Sequence, residues 1–380
     1  MSVLDGIKVV ELGQVLAGPF AGAILADLGA SVVKVEKPDG GDDARQMGPA
    51  FRHGDALNFH EFNRGKRSVT LDLKSAEGVA ALHGLLADAD ILVHNLRPGV
   101  AEALGLGPEA VAALHPRLIY CAMGAFGHKG PLSRRPGYEP LFQAFAGLSS
   151  ITGEPGGPPV RMGASVVDQG TGMWTVIGAL AALQQRARTG RGCVVNTSLF
   201  ETALMWGGQK ISAYVNQGKL PERHASGHPN FVPYQAFDCA DGPLLVCCGN
   251  DRLFRKFADV LGQDWPADPR FATNRQRLAN QAALLPAIAA LLRPRPRGEL
   301  AEALIAAGVP CSPVNSIPEV MAEPQTAAME MLQPVPGEDF SLLAMPLSFD
   351  GERPRIRHAA PRLGEAPMTP QVIDPAPRKG

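Results

Sequence analysis

The sequence lacks the features that mark several large classes of protein. Its six cysteines are scattered and form no CxxC pair, which disfavours a disulfide framework and a common type of zinc site. No apolar run is long enough to span a bilayer, and the first residues lack the basic-then-apolar pattern of a signal peptide. A formal net charge of −1 gives no overall attraction to nucleic acid or a membrane. We therefore expect a cytoplasmic globular protein with reduced thiols.

Several catalytic motifs are missing as well. The chain contains neither a Walker A pattern nor HExxH, and residues 162–165 (MGAS) do not form a G-x-S-x-G elbow. The first glycine-rich turn is not G-x-G-x-x-G, although Glu36 follows it as an acidic residue does in dinucleotide-binding folds. His224 and His228 are four residues apart but lie among glycine and proline. The sequence predicts no metal site and disfavours a serine hydrolase or a nicotinamide-dependent dehydrogenase.

Strand and helix patterns alternate regularly in the first half of the chain. Residues 7–12 and 31–36 are short apolar runs typical of buried parallel strands, and a helix is predicted between them at 21–29. The alternation continues through predicted strands at 68–73, 90–94, 117–122 and 193–197 and predicted helices at 77–87, 168–188 and 199–215. Repeated βαβ units predict an α/β fold with a doubly wound sheet.

The pattern changes near Asn216. Residues 217–233 are rich in proline, glycine and histidine, which is typical of a linker and loop. Beyond them, strands are predicted at 231–239 and 244–248, with an Asp241–Gly242 turn between them, and helices at 251–261, 281–292 and 299–307. We interpret this part as a smaller α+β domain.

Asp168 is the most informative single residue. It follows an apolar β-branched run and precedes Gly170, Gly172 and a long helix that is predicted to end just before Gly190. One interpretation is an ordinary N-cap, because aspartate is a preferred capping residue. The other is a nucleophile toward an activated acyl group, held at a helix start among glycines that let a substrate approach. The local sequence leaves both open.

The order of motifs along nearly the whole chain resembles the class III CoA-transferase family, which includes formyl-CoA:oxalate and crotonobetainyl-CoA:carnitine CoA-transferases. The resemblance rests on the opening segment 4–45, FNRGKRSVTLDLK at 62–74, NLRPG at 95–99, GYEP at 137–140, the Asp168 stretch, TGRG at 189–192, GHPNFVPYQAF at 227–237 and GVPCSPVN at 308–315.

The resemblance implies a Rossmann-like large domain built from both chain ends, a small domain and an interlocked homodimer. We accordingly divide the chain into a large CoA-binding and catalytic domain (1–215), a linker and loop (216–230), a small α+β domain (231–322) and a C-terminal segment that returns to the large domain (323–380). In the family, an aspartate at the position of Asp168 attacks the acyl-CoA thioester. A mixed anhydride and then an aspartyl-CoA thioester follow, so the acyl group stays activated throughout.

The resemblance also implies a set of CoA contacts. Acyl-CoA is expected as a substrate beside a small carboxylic acid, with no permanently bound cofactor. Arg45 is added from its charge and its closeness in sequence to the others. The residues matching the family's CoA-lining segments are Leu16, Ala17, Lys37, Leu71, Asp72, Leu73, Lys74, Asn95, Leu96, Arg97, Gly137, Tyr138 and Glu139.

Two departures from the oxalate-using branch concern the acceptor acid. Leu16 stands where that branch has a glutamine near the carboxylate. The loop that closes over the anhydride is short here, with Ser226, Gly227 and His228 as candidate substrate contacts. Both favour a dicarboxylate of the succinate, malate or glutarate type over oxalate.

The alternatives are an α-methylacyl-CoA racemase, disfavoured because Tyr138–Glu139 replaces that group's His-Asp pair, and a CoA-binding protein without turnover.

Overall fold

The computed structural model describes residues 2–367. The strands in chain order are β1 Lys8–Leu12, β2 Ser31–Glu36, β3 Phe51–Arg52, β4 Asp55–Ala56, β5 Arg67–Thr70, β6 Ile91–His94, β7 Ile119–Gly124, β8 Val194–Ser198, β9 Tyr234–Cys239, β10 Gly242–Cys247, β11 Cys311–Pro313, β12 Leu332–Pro334 and β13 Ser341–Leu343. The helices are α1 Ala17–Asp27, α2 Leu57–Asn63, α3 Ala76–Ala87, α4 Val100–Ala103, α5 Pro108–Leu114, α6 Glu139–Phe145, α7 Val166–Thr189, α8 Leu199–Trp206, α9 Gly208–Gln217, α10 Asp251–Val260, α11 Asn274–Ala279, α12 Gln281–Leu292, α13 Arg297–Ala306, α14 Ile317–Ala322 and α15 Pro324–Ala328.

The described residues fall into two compact units. The first comprises residues 2–149, 161–220 and 327–367, and the second comprises residues 150–160 and 221–326. The early segment 150–160 therefore groups with the second unit, whereas the sequence assigned it to the large domain. No helix within residues 2–367 is long and apolar enough to cross a membrane.

A parallel six-stranded sheet forms the centre of the first unit. Its strand order is β5-β2-β1-β6-β7-β8, with β1 in the interior between β2 and β6. Successive residues of β1 face opposite sides of the sheet. Val9 packs into a core with α1 and α7, while Val10 packs into a second core with α3. Helices thus cover both faces, and the predicted α/β fold with a parallel sheet is confirmed.

Helices α1 and α7 lie side by side and begin at the same edge of this sheet. Helix α1 follows β1, so it begins at the carboxyl edge, and α7 precedes β8, so it ends at the amino edge. They pack through the core that contains Ala21 and Leu25 of α1 and Val176 and Ala179 of α7. The amino ends of both helices therefore lie at the carboxyl edge of the sheet, where α/β proteins bind their ligands.

One predicted helix is divided in two. The sequence predicts a single helix over 199–215, but α8 ends at Trp206 and α9 begins at Gly208. The break falls at two consecutive glycines, Gly207 and Gly208, which have low helix propensity and are common where helices bend. The prediction of one continuous helix was therefore wrong, although both parts are helical.

The second unit is built on a small antiparallel sheet of order β11-β10-β9. Ala240 and Asp241 form the turn that joins β9 to β10, one residue earlier than the predicted Asp241–Gly242 turn, and Gly242 is already paired with Cys239. Helices α10, α12 and α13 cover the sheet with a core that includes Phe254, Phe257 and Leu284. This part is therefore α+β in character, as the alternating strand pattern and later helices indicated.

Candidate active site

Asp168 is the third residue of α7. The helix begins at Val166, and Ser165 occupies the N-cap position. The interpretation of Asp168 as an N-cap is therefore wrong. Its carboxylate is half-buried within the first helical turn, where the exposed backbone N–H groups and the helix dipole favour negative charge.

The packing of α7 on α1 fixes where Asp168 lies. Gly172 is one turn further along α7, on the same face as Asp168. A Cβ atom placed on Gly172 would lie 2.9 Å from the carbonyl oxygen of Ala17 and 3.3 Å from the backbone nitrogen of Ala21. Only glycine permits this approach, and it brings the start of α7 to the start of α1. Asp168, one turn earlier on this face of α7, is thereby brought toward the start of α1, where the predicted CoA contacts Leu16 and Ala17 lie.

Glu139 is a buried acidic residue whose charge acts on Asp168. It is the first residue of α6, is 4% exposed, and its Oε1 accepts hydrogen bonds from Nε2 of Gln143 at 2.7 Å and from the backbone N–H of Val167 at 3.4 Å. Its Oε2 is buried without a hydrogen-bond partner. Gln143 in turn accepts the N–H of Met162 at 2.8 Å. This chain of contacts ties the start of α6 to the segment that leads into α7.

The electrostatic surroundings change the acidity of Asp168. Burial, and secondly the negative charge of Glu139, raise the pKa of Asp168 to about 7. A carboxylate with a pKa near neutrality is more basic than an ordinary aspartate, yet it is still substantially ionised at physiological pH. Such a group is suited to nucleophilic attack on an activated carbonyl.

The segment before α1 is held by Asn95. The side-chain amide of Asn95 donates to the carbonyl of Gln14 and accepts the N–H of Gln14, both at 2.8 Å. Helix α1 then begins at Ala17, with Leu16 at the N-cap position and no side-chain cap. Asn95 and Leu16, which the sequence assigned separately to the CoA site, are therefore brought together at one edge of the sheet.

The remaining expected CoA contacts of the first unit follow the ends of strands or precede α6. Lys37 follows β2 and is exposed, with its Nζ 2.7 Å from Oδ1 of Asp43. Tyr138, just before α6, is 70% exposed. Leu71, Asp72, Leu73 and Lys74 come directly after β5, Leu96 and Arg97 come after β6, and Gly137 precedes Tyr138.

Arg45 does not fit the expected contact with CoA. Its side chain is buried, and its Nε and one terminal nitrogen donate to the two carboxylate oxygens of Glu36 at 2.9 and 2.8 Å. The other terminal nitrogen donates to Asp55 at 2.8 Å, and the guanidinium lies 3.9 Å from the ring centroid of Phe59. A guanidinium committed in this way serves the fold. We therefore remove Arg45 from the candidate set.

The candidate substrate loop belongs to the second unit. The hydroxyl of Ser226 accepts the N–H of Ala236 at 3.0 Å, and Nδ1 of His228 accepts the N–H of Asn230 at 3.1 Å. Gly227 donates its N–H to the carbonyl of His224. The His228 ring packs against Phe231 and Tyr234, with centroids 5.0 and 5.1 Å apart. These contacts make the loop an ordered turn beside β9.

Three residues around this site were missed in the sequence. Gln143 holds Glu139, Asp42 accepts the N–H of Val15, and Lys34 contacts Asp42. Gln143 is four residues after Glu139, which is the spacing of side chains on one face of a helix, but the sequence did not predict helix α6. Asp42 comes 27 residues after Val15 and eight after Lys34, and neither spacing matches a helix or strand period, so no local pattern predicts these contacts.

The chain belongs to CoA-transferase family III, whose model matches residues 4–366. It is 38% identical over 364 residues to the acetyl-CoA:oxalate CoA-transferase of Acetobacter aceti, and the match covers 95% of this chain and 93% of that protein. It is 37% identical over 372 residues to the succinate–glutarate CoA-transferase of Agrobacterium fabrum, with the same coverage. A solved CAIB/BAIF family protein from Brucella suis is 39% identical, with a TM-score of 0.88 over 96% of this chain and 97% of that one.

These likenesses establish the class of the protein. It is an enzyme of the CoA-transferase class, and the substrates of that class are CoA thioesters. The reading as a CoA-binding protein without turnover is thereby set aside.

The raised pKa of Asp168 predicts a pH-dependent effect on stability. An unfolded aspartate has a pKa of about 3.9, so between that value and about 7 the folded enzyme binds the extra proton. Because the folded state binds more protons than the unfolded state in this window, the free energy of unfolding falls as pH rises through it. We expect Asp168→Asn to raise the free energy of unfolding by about 1–2 kcal/mol at about pH 8.5, after allowing for solvent screening, and by little at about pH 4.5.

Urea unfolding at the two pH values measures this difference. Asp88→Asn, at the exposed end of α3, is the matched control and should change stability little at either pH. An Asp168→Asn effect of equal size at both pH values would contradict the assignment of a raised pKa.

Proposed function

We propose that this enzyme moves CoA from an acyl-CoA donor to a free dicarboxylic acid through covalent intermediates on Asp168. The observation that carries the proposal is the half-buried carboxylate in the first turn of α7, packed beside the uncapped start of α1. Membership in the family supports the overall transfer, and the raised pKa of Asp168 supports its role as nucleophile.

The proposed reaction uses two anhydrides and one thioester. A carboxylate oxygen of Asp168 attacks the thioester carbon of the donor, the carbon–sulfur bond breaks, and CoA leaves as the thiolate. The thiolate then attacks the aspartyl carbonyl, and the donor acid departs with one oxygen of Asp168. The acceptor carboxylate attacks the aspartyl-CoA thioester, and the released thiolate cleaves this second anhydride at the acceptor carbonyl. The new acyl-CoA is thereby formed and Asp168 is restored.

The surroundings of Asp168 fit the charge changes in this sequence. Each attack at a carbonyl develops negative charge on its oxygen, and the first-turn N–H groups of Ala17 and Gly18 have no side-chain cap competing for them. Acylation of Asp168 removes a negative charge and relieves its repulsion with Glu139. We propose that Glu139 favours the covalent state in this way.

CoA is proposed to bind along the carboxyl edge of the sheet. Exposed Lys37 is suited to a phosphate, because an ammonium attracts phosphate charge. The turns after β5 and β6, from Leu71 to Lys74 and from Asn95 to Arg97, are proposed to line the adenosine part. The Leu16–Ala17 and Gly137–Glu139 segments are proposed to line the thioester end.

The acceptor is proposed to be a small dicarboxylate. The relatives described above are named for oxalate, succinate and glutarate. Leu16 offers an apolar side chain beside the site, which favours an acid with methylene groups over oxalate. The assignment of Ser226, Gly227 and His228 as substrate contacts stays a prediction from the sequence.

We expect Asp168→Asn to lose transfer activity by at least about a thousandfold, since the amide cannot act as the nucleophile. The measurement is transfer from succinyl-CoA to a panel of dicarboxylates, with oxalate included. Hydroxylamine trapping and mass analysis of the Asp168 peptide then identify the acylated residue.

Asp88→Asn should keep full activity in the same assay. An active Asp168→Asn enzyme that is still acylated at another residue would overturn the mechanism. Incorporation of solvent deuterium at the α-carbon of an acyl-CoA, without transfer, would instead support racemisation.

We further propose that the enzyme is a cytoplasmic homodimer. Helices α7, α8 and α9 present large apolar side chains that a monomer would leave in water. Among them, Ile177 is 51% exposed, Met205 61% and Val215 71%. An interlocked dimer would cover such a surface. All six cysteines are free thiols, which fits a reducing compartment.

Ile177→Glu should shift the protein from dimer to monomer, because it introduces a charge into the proposed apolar contact. Leu114→Glu, at an even more exposed apolar position on α5, should leave the mass unchanged. Sedimentation equilibrium distinguishes the two states, and a wild-type protein that sediments as a monomer would refute the dimer.

A further inference from the structure

Val15 has a backbone conformation that valine rarely adopts. Its φ is 65°, in the left-handed region, where a β-branched side chain crowds the backbone. It immediately precedes Leu16 and Ala17, the residues beside Asp168. Strained residues of this kind persist only where surrounding contacts impose them, and they cluster at functional sites.

Asp42 is hydrogen-bonded directly to the backbone of Val15 in this conformation. Its Oδ1 accepts the N–H of Val15 at 3.0 Å and also the N–H of Ala44 at 3.0 Å. Its Oδ2 lies 2.8 Å from Nζ of Lys34. Asp42 is 2% exposed and Lys34 is fully buried, so water does not compete for these contacts.

Lys34 also holds the backbone just before Val15. Its Nζ donates to the carbonyl of Gly13 at 2.7 Å and to Oε1 of Glu11 at 3.0 Å. The Lys34–Asp42 pair thus fixes two points, Gly13 and Val15, on either side of Gln14. The turn between β1 and α1 is therefore anchored to the interior of the protein.

A second buried lysine fixes the other side of the turn. Nζ of Lys66 donates to the carbonyl of Pro19, within the first turn of α1, at 2.8 Å and lies 2.7 Å from Oε2 of Glu11. A Cβ atom on Gly22 would lie 1.8 Å from that same oxygen, so glycine is needed there for Glu11 to fit. Glu11 joins the two lysines into one network.

The whole network is costly for the fold. Four charges, Glu11, Lys34, Asp42 and Lys66, are taken out of water, and apolar residues of similar size would stabilise a domain at least as well. What the charges provide is a fixed geometry. Leu16 and Ala17 lie between the anchored points.

On this basis we propose that Val15, held in the left-handed conformation by Asp42 and Lys34, is a positioning residue for the transfer reaction. The inference rests on the proposed function. In it, the network of Glu11, Lys34, Asp42 and Lys66 orients Leu16 and the N–H of Ala17 toward the reacting carbonyl. Small errors in such placement have large effects on rate.

The test is Val15→Gly. Glycine adopts positive φ without strain, so the thermal midpoint should stay the same or rise. Glycine also lets the turn leave the imposed conformation, so kcat/KM for transfer should fall by about 10–100-fold. A residue important only for folding would instead lose stability and activity together.

Asp350→Gly is the matched control. Asp350 also has a positive φ, 52°, and is exposed outside the proposed site. It should keep wild-type kcat/KM. If Val15→Gly kept the wild-type kcat/KM, the positioning role would be overturned. The proposed function would still stand in that case, provided that the wild-type enzyme transfers CoA. Absence of transfer by the wild-type enzyme would overturn the proposed function, and the positioning role with it.

Asp42→Asn provides a second variant in the network. It should also lower kcat/KM, because its amide cannot replace both the bond to Val15 and the ion pair with Lys34. Asp90→Asn removes a partly buried ion pair with Arg186 near the amino edge of the sheet. It should lower the thermal midpoint yet leave kcat/KM of the folded enzyme within about twofold. Equal loss of kcat/KM in both variants would contradict a specific role for Asp42.

Discussion

The close approach of α7 to α1 at Gly172 is the constraint on which the rest of the site depends. A side chain at position 172 would strike the backbone of Ala17. Because Gly172 has none, the two helices can meet at their amino ends. Asp168, one turn earlier on α7, is thereby brought to the start of α1 at the carboxyl edge of the sheet. The sheet order and the strand ends after β2, β5 and β6 then bring the proposed CoA-lining segments to the same edge.

The site is built at a cost to stability. Asp168 is partly desolvated beside Glu139, and these effects raise its pKa to about 7. Beneath the neighbouring turn, buried charges hold Val15 in a strained conformation. Both features oppose folding. Enzymes commonly accept such costs in return for a prearranged site.

Much of this could be predicted from the sequence. Local patterns predict β2 at its observed bounds, the end of α7 near Gly190 and the helix start that contains Asp168, since each depends on neighbouring residues. Patterns of this kind do not report contacts between distant residues. The charge of Arg45 was equally consistent with a phosphate contact and with its observed burial against Glu36. The Asp42–Val15 contact had no local signal at all.

The most direct test of the account follows one oxygen atom. In the proposed route, the acceptor carboxylate leaves one of its oxygens on Asp168 at the end of each turnover, because the last anhydride is cleaved at the acceptor carbonyl. The enzyme would be incubated with an acyl-CoA donor and an acceptor acid labelled with heavy oxygen, and the Asp168 peptide would then be weighed. The account predicts that Asp168 gains the label and that Glu139 does not. Transfer without any label on Asp168 would contradict it.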